Sequence, residues 1–126
     1  MTVRYLTAQD VLAIHESVIN PHELQGQSGR VSLDAVIARI DNRVAYGLIE
    51  DVFDLAACYA TCVAVAQAFN DANKRTAFAA LDTLLALNGI DFSFSNIEAA
   101  GDMMRAAVLG QADEKDVAKW LRALVY

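Results

Sequence analysis

The spacing of apolar positions along the chain favours helices over strands. Between residues 77 and 85 the apolar side chains recur at the three- and four-residue steps of one helix face: Ala77, Phe78, Leu81, Leu84 and Leu85. Proline occurs once and glycine six times, which suits helices joined by short loops. Because no alternating segment is long enough to build a sheet, the pattern predicts an all-α protein, a compact bundle of about six helices.

Capping signals predict the helix boundaries. Each helix is expected to begin at a polar side chain that accepts a hydrogen bond from the first turn. The predicted starts are Thr7 with Asp10, Ser32, Asp51 with Asp54, a position near Asn73, Ser95 with Glu98, and Asp113 with Asp116. The predicted ends are Asn20-Pro21, Tyr46-Gly47, about Phe69, Asn88-Gly89, Gly110 and the end of the chain. Residues 22–30 are expected to form a loop, and residues 90–94 a short extended segment.

Composition limits the class of protein. Hydrophobic residues make up 56% of the 126 positions and charged residues 21%, so we expect one folded domain over residues 1–126. The third and fourth helices are the least polar and are predicted to form its centre. No apolar run approaches the length of a membrane span, and residues 1–10 lack a signal-peptide core, so a cytoplasmic protein is expected. A net charge of -6 argues against non-specific binding to nucleic acid or to an anionic membrane.

The two cysteines, Cys58 and Cys62, are four residues apart and are predicted to lie on one apolar helix face. We expect buried thiols in a reducing compartment. A metal site is disfavoured, because neither His15 nor His22 is close in sequence and no second cysteine pair exists.

Polar chemistry concentrates at the junction of the third and fourth helices, residues 69–76. Asn73 or Asp71 is a candidate cap for the fourth helix, and the free N–H groups of that first turn attract anions. Lys74 and Arg75 lie in the same turn, where the helix dipole disfavours cations, so an anion such as phosphate is predicted to accompany them. Asp71 beside a phosphate is a candidate Mg²⁺ ligand. The alternative interpretation is a junction whose charges simply face water.

These residues resemble the signature of the Fic/Doc family. The Fic form is His-Pro-Phe-x-x-Gly-Asn-Gly-Arg-x-x-Arg, and the Doc branch has x-Phe-x-Asp-x-Asn-Lys-Arg-Thr. The chain matches the Doc form at Phe69, Asp71, Asn73, Lys74, Arg75 and Thr76. The resemblance implies a toxin of a toxin–antitoxin pair, which transfers the γ-phosphate of ATP to a threonine of elongation factor Tu and so blocks translation.

The resemblance also implies roles for individual residues. Asp71 would organise Mg²⁺ and the catalytic site, while Asn73, Lys74 and Arg75 would hold the phosphates of ATP, with Lys74 also catalytic. Phosphoryl transfer depends mainly on such positioning and charge stabilisation.

One position departs from the family. The catalytic histidine, two residues before Phe69, is replaced by Gln67. Glutamine cannot accept a proton, although it can orient a hydroxyl, and general-base catalysis is typically worth about 10²–10⁴-fold. The change is consistent with an engineered toxin, a degenerate copy, or a transfer that needs orientation more than a base. His15 is expected at a surface or packing position of the first helix, and His22 in a loop.

Partners and alternatives follow from the same resemblance. No glutamate fits the self-inhibitory Ser/Thr-x-x-x-Glu segment of many Fic proteins, so inhibition is expected from a Phd-like antitoxin whose C-terminal segment folds into a groove.

Two alternatives stay open. One is an inactive antitoxin-binding and co-repressor module, which Gln67 favours. The other is a Fic-type AMP transferase, against which Lys74 and Phe78 argue, since Fic proteins carry glycine and arginine there.

Overall fold

The computed structural model describes residues 3–91 and 97–125, and six α-helices account for most of them. They are α1 (Ala8–Val18), α2 (Leu33–Ala45), α3 (Val52–Ala66), α4 (Asn73–Leu87), α5 (Ile97–Val108) and α6 (Glu114–Val125). The described residues form no β-strand, and a single isolated bridge joins Gln27 to Phe69. The all-α prediction is confirmed. The extended segment expected within residues 90–94 and the cap expected at Ser95 fall largely outside the described residues.

Four of the predicted caps form where the sequence places them. Hydrogen bonds from backbone N–H groups of the first turn are accepted by the side chains of Thr7, Ser32, Asp51 and Asp113. In α1 and at the start of α6 the partner carboxylate reciprocates, as a capping box requires. Glycines with positive φ follow α2, α4 and α5, namely Gly47, Gly89 and Gly110. None of the described helices is both long and apolar enough to cross a lipid bilayer.

At the junction one predicted boundary and one predicted cap are wrong, although α4 begins at Asn73 as expected. The third helix ends at Ala66 and does not continue to Phe69, because Gln67 turns into the left-handed region at φ 54°. No side chain caps α4, where we expected Asn73 or Asp71 to do so. Its N-cap is Ala72, also left-handed at φ 64°, and Asn73 is already the first helical residue. The junction is therefore a tight loop with backbone strain at both ends.

Helix α3 forms the centre of the molecule. Every residue from Leu55 to Ala64 is buried, and the helix packs against α2, α4, α5 and α6. Cys58 and Cys62 are among these buried residues, as predicted. Helix α4 is buried along one face only, which leaves Lys74 and Arg75 of its first turn exposed. This arrangement presents the two cations at the surface directly beside the end of the buried helix α3.

Two polar anchors tie the N-terminal segment to the core. The Tyr59 hydroxyl accepts a hydrogen bond from the Leu6 N–H (3.0 Å) and donates one to the Leu6 carbonyl (2.9 Å). The Asn88 amide makes the same two bonds with the backbone of Arg4. Burial raises the pKa of Tyr59 to about 12, because the phenolate would lose its hydration.

Candidate active site

The loop between α3 and α4, residues 67–72, begins and ends with a residue in the left-handed region. Gln67 (φ 54°, ψ 43°) and Ala72 (φ 64°, ψ 27°) carry side chains, and such conformations cost roughly 1–2 kcal/mol each. Strain of this kind persists only where surrounding contacts enforce it. Three sets of contacts do so here.

Asn73 closes the loop from the side of α4. Its Oδ1 accepts a hydrogen bond from the Phe69 N–H (3.1 Å), and its Nδ2 donates to the Phe69 carbonyl (2.9 Å). The side chain is almost fully buried. Since both ends of the amide are engaged inside the loop, the group that Asn73 leaves for an anion is its backbone N–H.

The segment before α2 pairs with the loop from the other side. The Ser28 N–H donates to the Ala68 carbonyl (2.8 Å), and the Asn70 N–H donates to the Gly26 carbonyl (3.1 Å). The Ser28 hydroxyl also donates to the Gln67 carbonyl (2.7 Å). These bonds hold the backbone on both sides of Phe69.

His15 supports the loop from beneath. Its ring stacks on Phe69 with the centroids 3.8 Å apart and the planes within 4°, and its Nε2–H donates to the Asp71 carbonyl (2.9 Å). It is 2% exposed. Of the two expected positions, packing is therefore the one observed. Sequence reasoning missed its contact with the loop. The sequence did contain a signal, because His15 follows Val11, the other buried residue of α1, by four residues and therefore lies on the same helix face.

The candidate cavity, about 470 Å³ in volume, opens above this loop. All five residues singled out from the sequence line it: Gln67, Asp71, Asn73, Lys74 and Arg75. Its other walls were not predicted. Glu23 comes from the loop after α1, and α5 contributes Ala100, Gly101, Met104 and Arg105. These residues lie far from the junction in sequence, and nothing local marks them.

Arg75 is not free. Its Nη1 donates to Glu23 Oε1 (2.8 Å) and to the Val18 carbonyl (3.0 Å). The hydrogen bond from the Arg75 guanidinium is the main reason why the pKa of Glu23 falls to about 2. Lys74, by contrast, is exposed and makes no hydrogen bond or ion pair with the described residues. The sequence predicted two available cations, and the structure neutralises one of them.

Asp71 is only partly engaged. Its Oδ2 accepts a hydrogen bond from the Leu24 N–H (2.9 Å), while Oδ1 has no hydrogen bond among the described residues. A single available carboxylate oxygen beside the first turn of α4 could serve as a ligand of Mg²⁺, which takes one or two carboxylates and completes its shell with phosphate and water.

Gln67, at the position of the expected base, is half-buried at the mouth of the cavity. Its Nε2 donates to the Ala64 carbonyl (3.0 Å), and its Oε1 accepts a long bond from Asn73 Nδ2 (3.4 Å). The amide is held by its own helix end and can offer a hydrogen bond, but it cannot take up a proton.

The chain is similar in sequence to known proteins over most of its length. The model of the Fic/DOC family matches residues 5–85, which contain the loop and α4. A curated relative, the "Protein kinase doc" of Escherichia phage P1, is 35% identical over 123 residues. That alignment covers 97% of this chain and 96% of the phage protein.

Proposed function

This chain belongs to the Fic/DOC family, and from that premise we propose that it is a kinase-type toxin of a toxin–antitoxin pair. It would transfer the γ-phosphate of ATP to a threonine hydroxyl of elongation factor Tu and so stop translation. The proposed partner is a Phd-like antitoxin, and the proposed location is the cytoplasm. The name of the phage relative, a protein kinase, supports the reaction type.

The observation that carries the proposal is the open start of α4 at the floor of the cavity. Because no side chain caps this helix, the N–H groups of Asn73, Lys74 and Arg75 face an anion site with the positive end of the helix dipole behind them. Lys74 adds an unpaired cation. The phosphates of ATP can use all of these donors, and the cavity has the volume of ordinary small-molecule sites.

Asp71 would hold Mg²⁺ through its free Oδ1. The ion would supply neutralisation of the phosphate charge that grows during transfer. The chain's own contribution is to fix Asp71, through the bonds that its carboxylate and carbonyl make to Leu24 and His15.

Gln67 would orient the incoming hydroxyl but leave it protonated. Phosphoryl transfer through a loose transition state does not require early removal of that proton, so activity can survive at a reduced rate. A loss of about 10²–10⁴-fold against the histidine variant is expected, the usual worth of a general base.

The second candidate function is an inactive module that only binds the antitoxin. One observation favours it: Glu23 occupies the guanidinium of Arg75, so a phosphate must displace a carboxylate to reach it. An AMP transferase is a weaker candidate, because Lys74 and Phe78 stand where that branch carries glycine and arginine.

The test is transfer of label from ATP to purified elongation factor Tu. The wild-type chain is compared with Gln67→His and with Gln111→His, which places the same substitution on an exposed residue outside the cavity. The label is carried on the γ-phosphate in one set of reactions and on the α-phosphate in the other.

Label from the γ-position, raised about 10²–10⁴-fold by Gln67→His and unchanged by Gln111→His, is the expected result. Equal rates for all three chains would contradict the role given to position 67. Label from the α-position would establish AMP transfer. Absence of both labels, with antitoxin binding retained, would establish the binding module.

A further inference from the structure

Where α6 packs on α3, two thiols and a carboxylate converge. Cys58 and Cys62 are one turn apart and buried, at 0% and 4% exposure. Glu114, the first residue of α6, directs its carboxylate at them because α6 packs on α3. One ligand atom from each residue lies within 4.8 Å of the other two. We propose that Cys58, Cys62 and Glu114 form a binding site for a thiophilic divalent cation of the Zn²⁺ class.

The carboxylate supplies the first reason to expect a ligand. Glu114 Oε1 is shielded from solvent and accepts no well-formed hydrogen bond among the described residues. Its counter-charge is Arg43, whose Nε contacts the same oxygen as an ion pair. Arg43 is therefore the charged partner of this oxygen, while the two thiols that lie against the carboxylate are only weak hydrogen-bond donors. A divalent cation would bind the carboxylate and the two sulfur atoms together.

The types of ligand atom indicate which class of cation the site would bind. Two cysteines and one carboxylate suit Zn²⁺, whereas Mg²⁺ and Ca²⁺ require oxygen ligands throughout. In a tetrahedral zinc site with bonds of about 2.0–2.3 Å, neighbouring ligand atoms are about 3.5–3.8 Å apart. The separations need to contract by at most about 1.3 Å to reach this, which rotation of the Cys58, Cys62 and Glu114 side chains can provide.

The surroundings leave room for a fourth ligand. A cavity of about 200 Å³ meets the cluster, and its lining includes Cys62, Glu114 and Arg43. A water molecule entering from it would complete a four-coordinate ion. No residue that lines this cavity also lines the candidate active site, so the inference is independent of the proposed function.

Charge and proton balance are consistent with the site. On binding, two S–H bonds break and two metal–sulfur bonds form, and the two protons pass to the buffer. Two thiolates, one carboxylate and the divalent ion then carry a net charge of -1. Arg43, already against Glu114, balances it. The metal would link α3 to the start of α6.

The experiment is metal titration of tag-free, reduced, metal-depleted protein. Co²⁺ is added first, because cobalt bound to thiolates shows sulfur-to-metal charge-transfer absorption. Zn²⁺ affinity is then measured by competition with a chromophoric chelator. The wild-type chain is expected to bind one ion, with a Kd of about 1 μM or lower and thiolate absorption.

Variants assign the ligands. Cys58→Ser and Cys62→Ser are each expected to weaken Zn²⁺ binding at least 100-fold, and Glu114→Gln at least tenfold. Glu50→Gln, which removes an exposed carboxylate elsewhere, should leave affinity unchanged. Absence of thiolate absorption in the wild-type protein would overturn the proposal without relying on any variant. Full affinity in Glu114→Gln, with its helix content intact by circular dichroism, would overturn the three-ligand site.

Discussion

Replacing His15 tests how the active-site loop is supported. His15→Ala removes a stack on Phe69 at 3.8 Å, a contact worth about 0.5–1.5 kcal/mol. It also leaves the Asp71 carbonyl without its 2.9 Å donor, at about 1–3 kcal/mol. The ring is buried, so a cavity remains as well. We expect the free energy of unfolding to fall by about 2–4 kcal/mol.

Urea unfolding followed by far-ultraviolet circular dichroism measures the change. His15→Phe separates the two contributions, because it keeps the stacked ring and removes only the hydrogen bond, with an expected loss of about 1–2 kcal/mol. His22→Ala is the matched control. That histidine is exposed in the loop after α1, and its loss should change stability by less than about 0.5 kcal/mol.

Amide hydrogen exchange tests where the effect occurs. In His15→Ala the amides of Phe69 and Asn70, which bond within the loop and to residue 26, should exchange faster than those in the middle of α3. A loss of stability below about 0.5 kcal/mol in His15→Ala, or faster exchange spread evenly over the chain, would refute the argument that His15 supports this loop.

Three further outcomes follow from the hydrogen bonds. Asn73→Ala leaves the peptide groups of Phe69 unsatisfied and should cost about 2–4 kcal/mol in urea unfolding, with Asn73→Asp intermediate because it keeps the acceptor. Tyr59→Phe should cost about 1–3 kcal/mol at neutral pH. The free energy of unfolding of the wild-type chain should also fall between pH 10 and 12, because Tyr59 ionises at a lower pH in the unfolded chain than in the folded one. Tyr59→Phe should lack the part of this fall that Tyr59 causes. By carbon-detected NMR the Glu23 carboxyl should titrate with a pKa of about 2, and Arg75→Gln should raise it towards 4.5. The stabilisation from this ion pair is complete above pH 4.5 and is lost as the pH falls through 2; a pKa of Glu23 that stayed near 2 in Arg75→Gln would contradict the pairing.

Helix boundaries were predictable where their causes are local. Thr7 with Asp10 and Gly89 act on residues within one turn, so the sequence around each one contains the whole signal. The end of α3 was not predictable in this way. Gln67 has no local preference for the left-handed region, and it adopts it because Ser28 and Asn73 hold the loop from outside. The error of three residues at that boundary has this long-range cause.

The five candidate site residues could be selected together from the sequence because they lie within one short segment, and all five line the same cavity. The acidic residues that pair with the arginines of the cavity lie outside this segment. Asp102 pairs with Arg105 on the wall of the cavity, and Glu23 pairs with Arg75 on its floor. Within the part of the chain that the structure describes, an anion entering the cavity therefore meets one unpaired cation, Lys74, together with the first-turn N–H groups of α4. Since a backbone N–H carries no net charge, we expect selectivity for a multiply charged phosphate to depend on Lys74 and on whether the ligand can displace Glu23. Under the proposed function, that competition decides whether Arg75 can hold a phosphate, and no local motif predicts it.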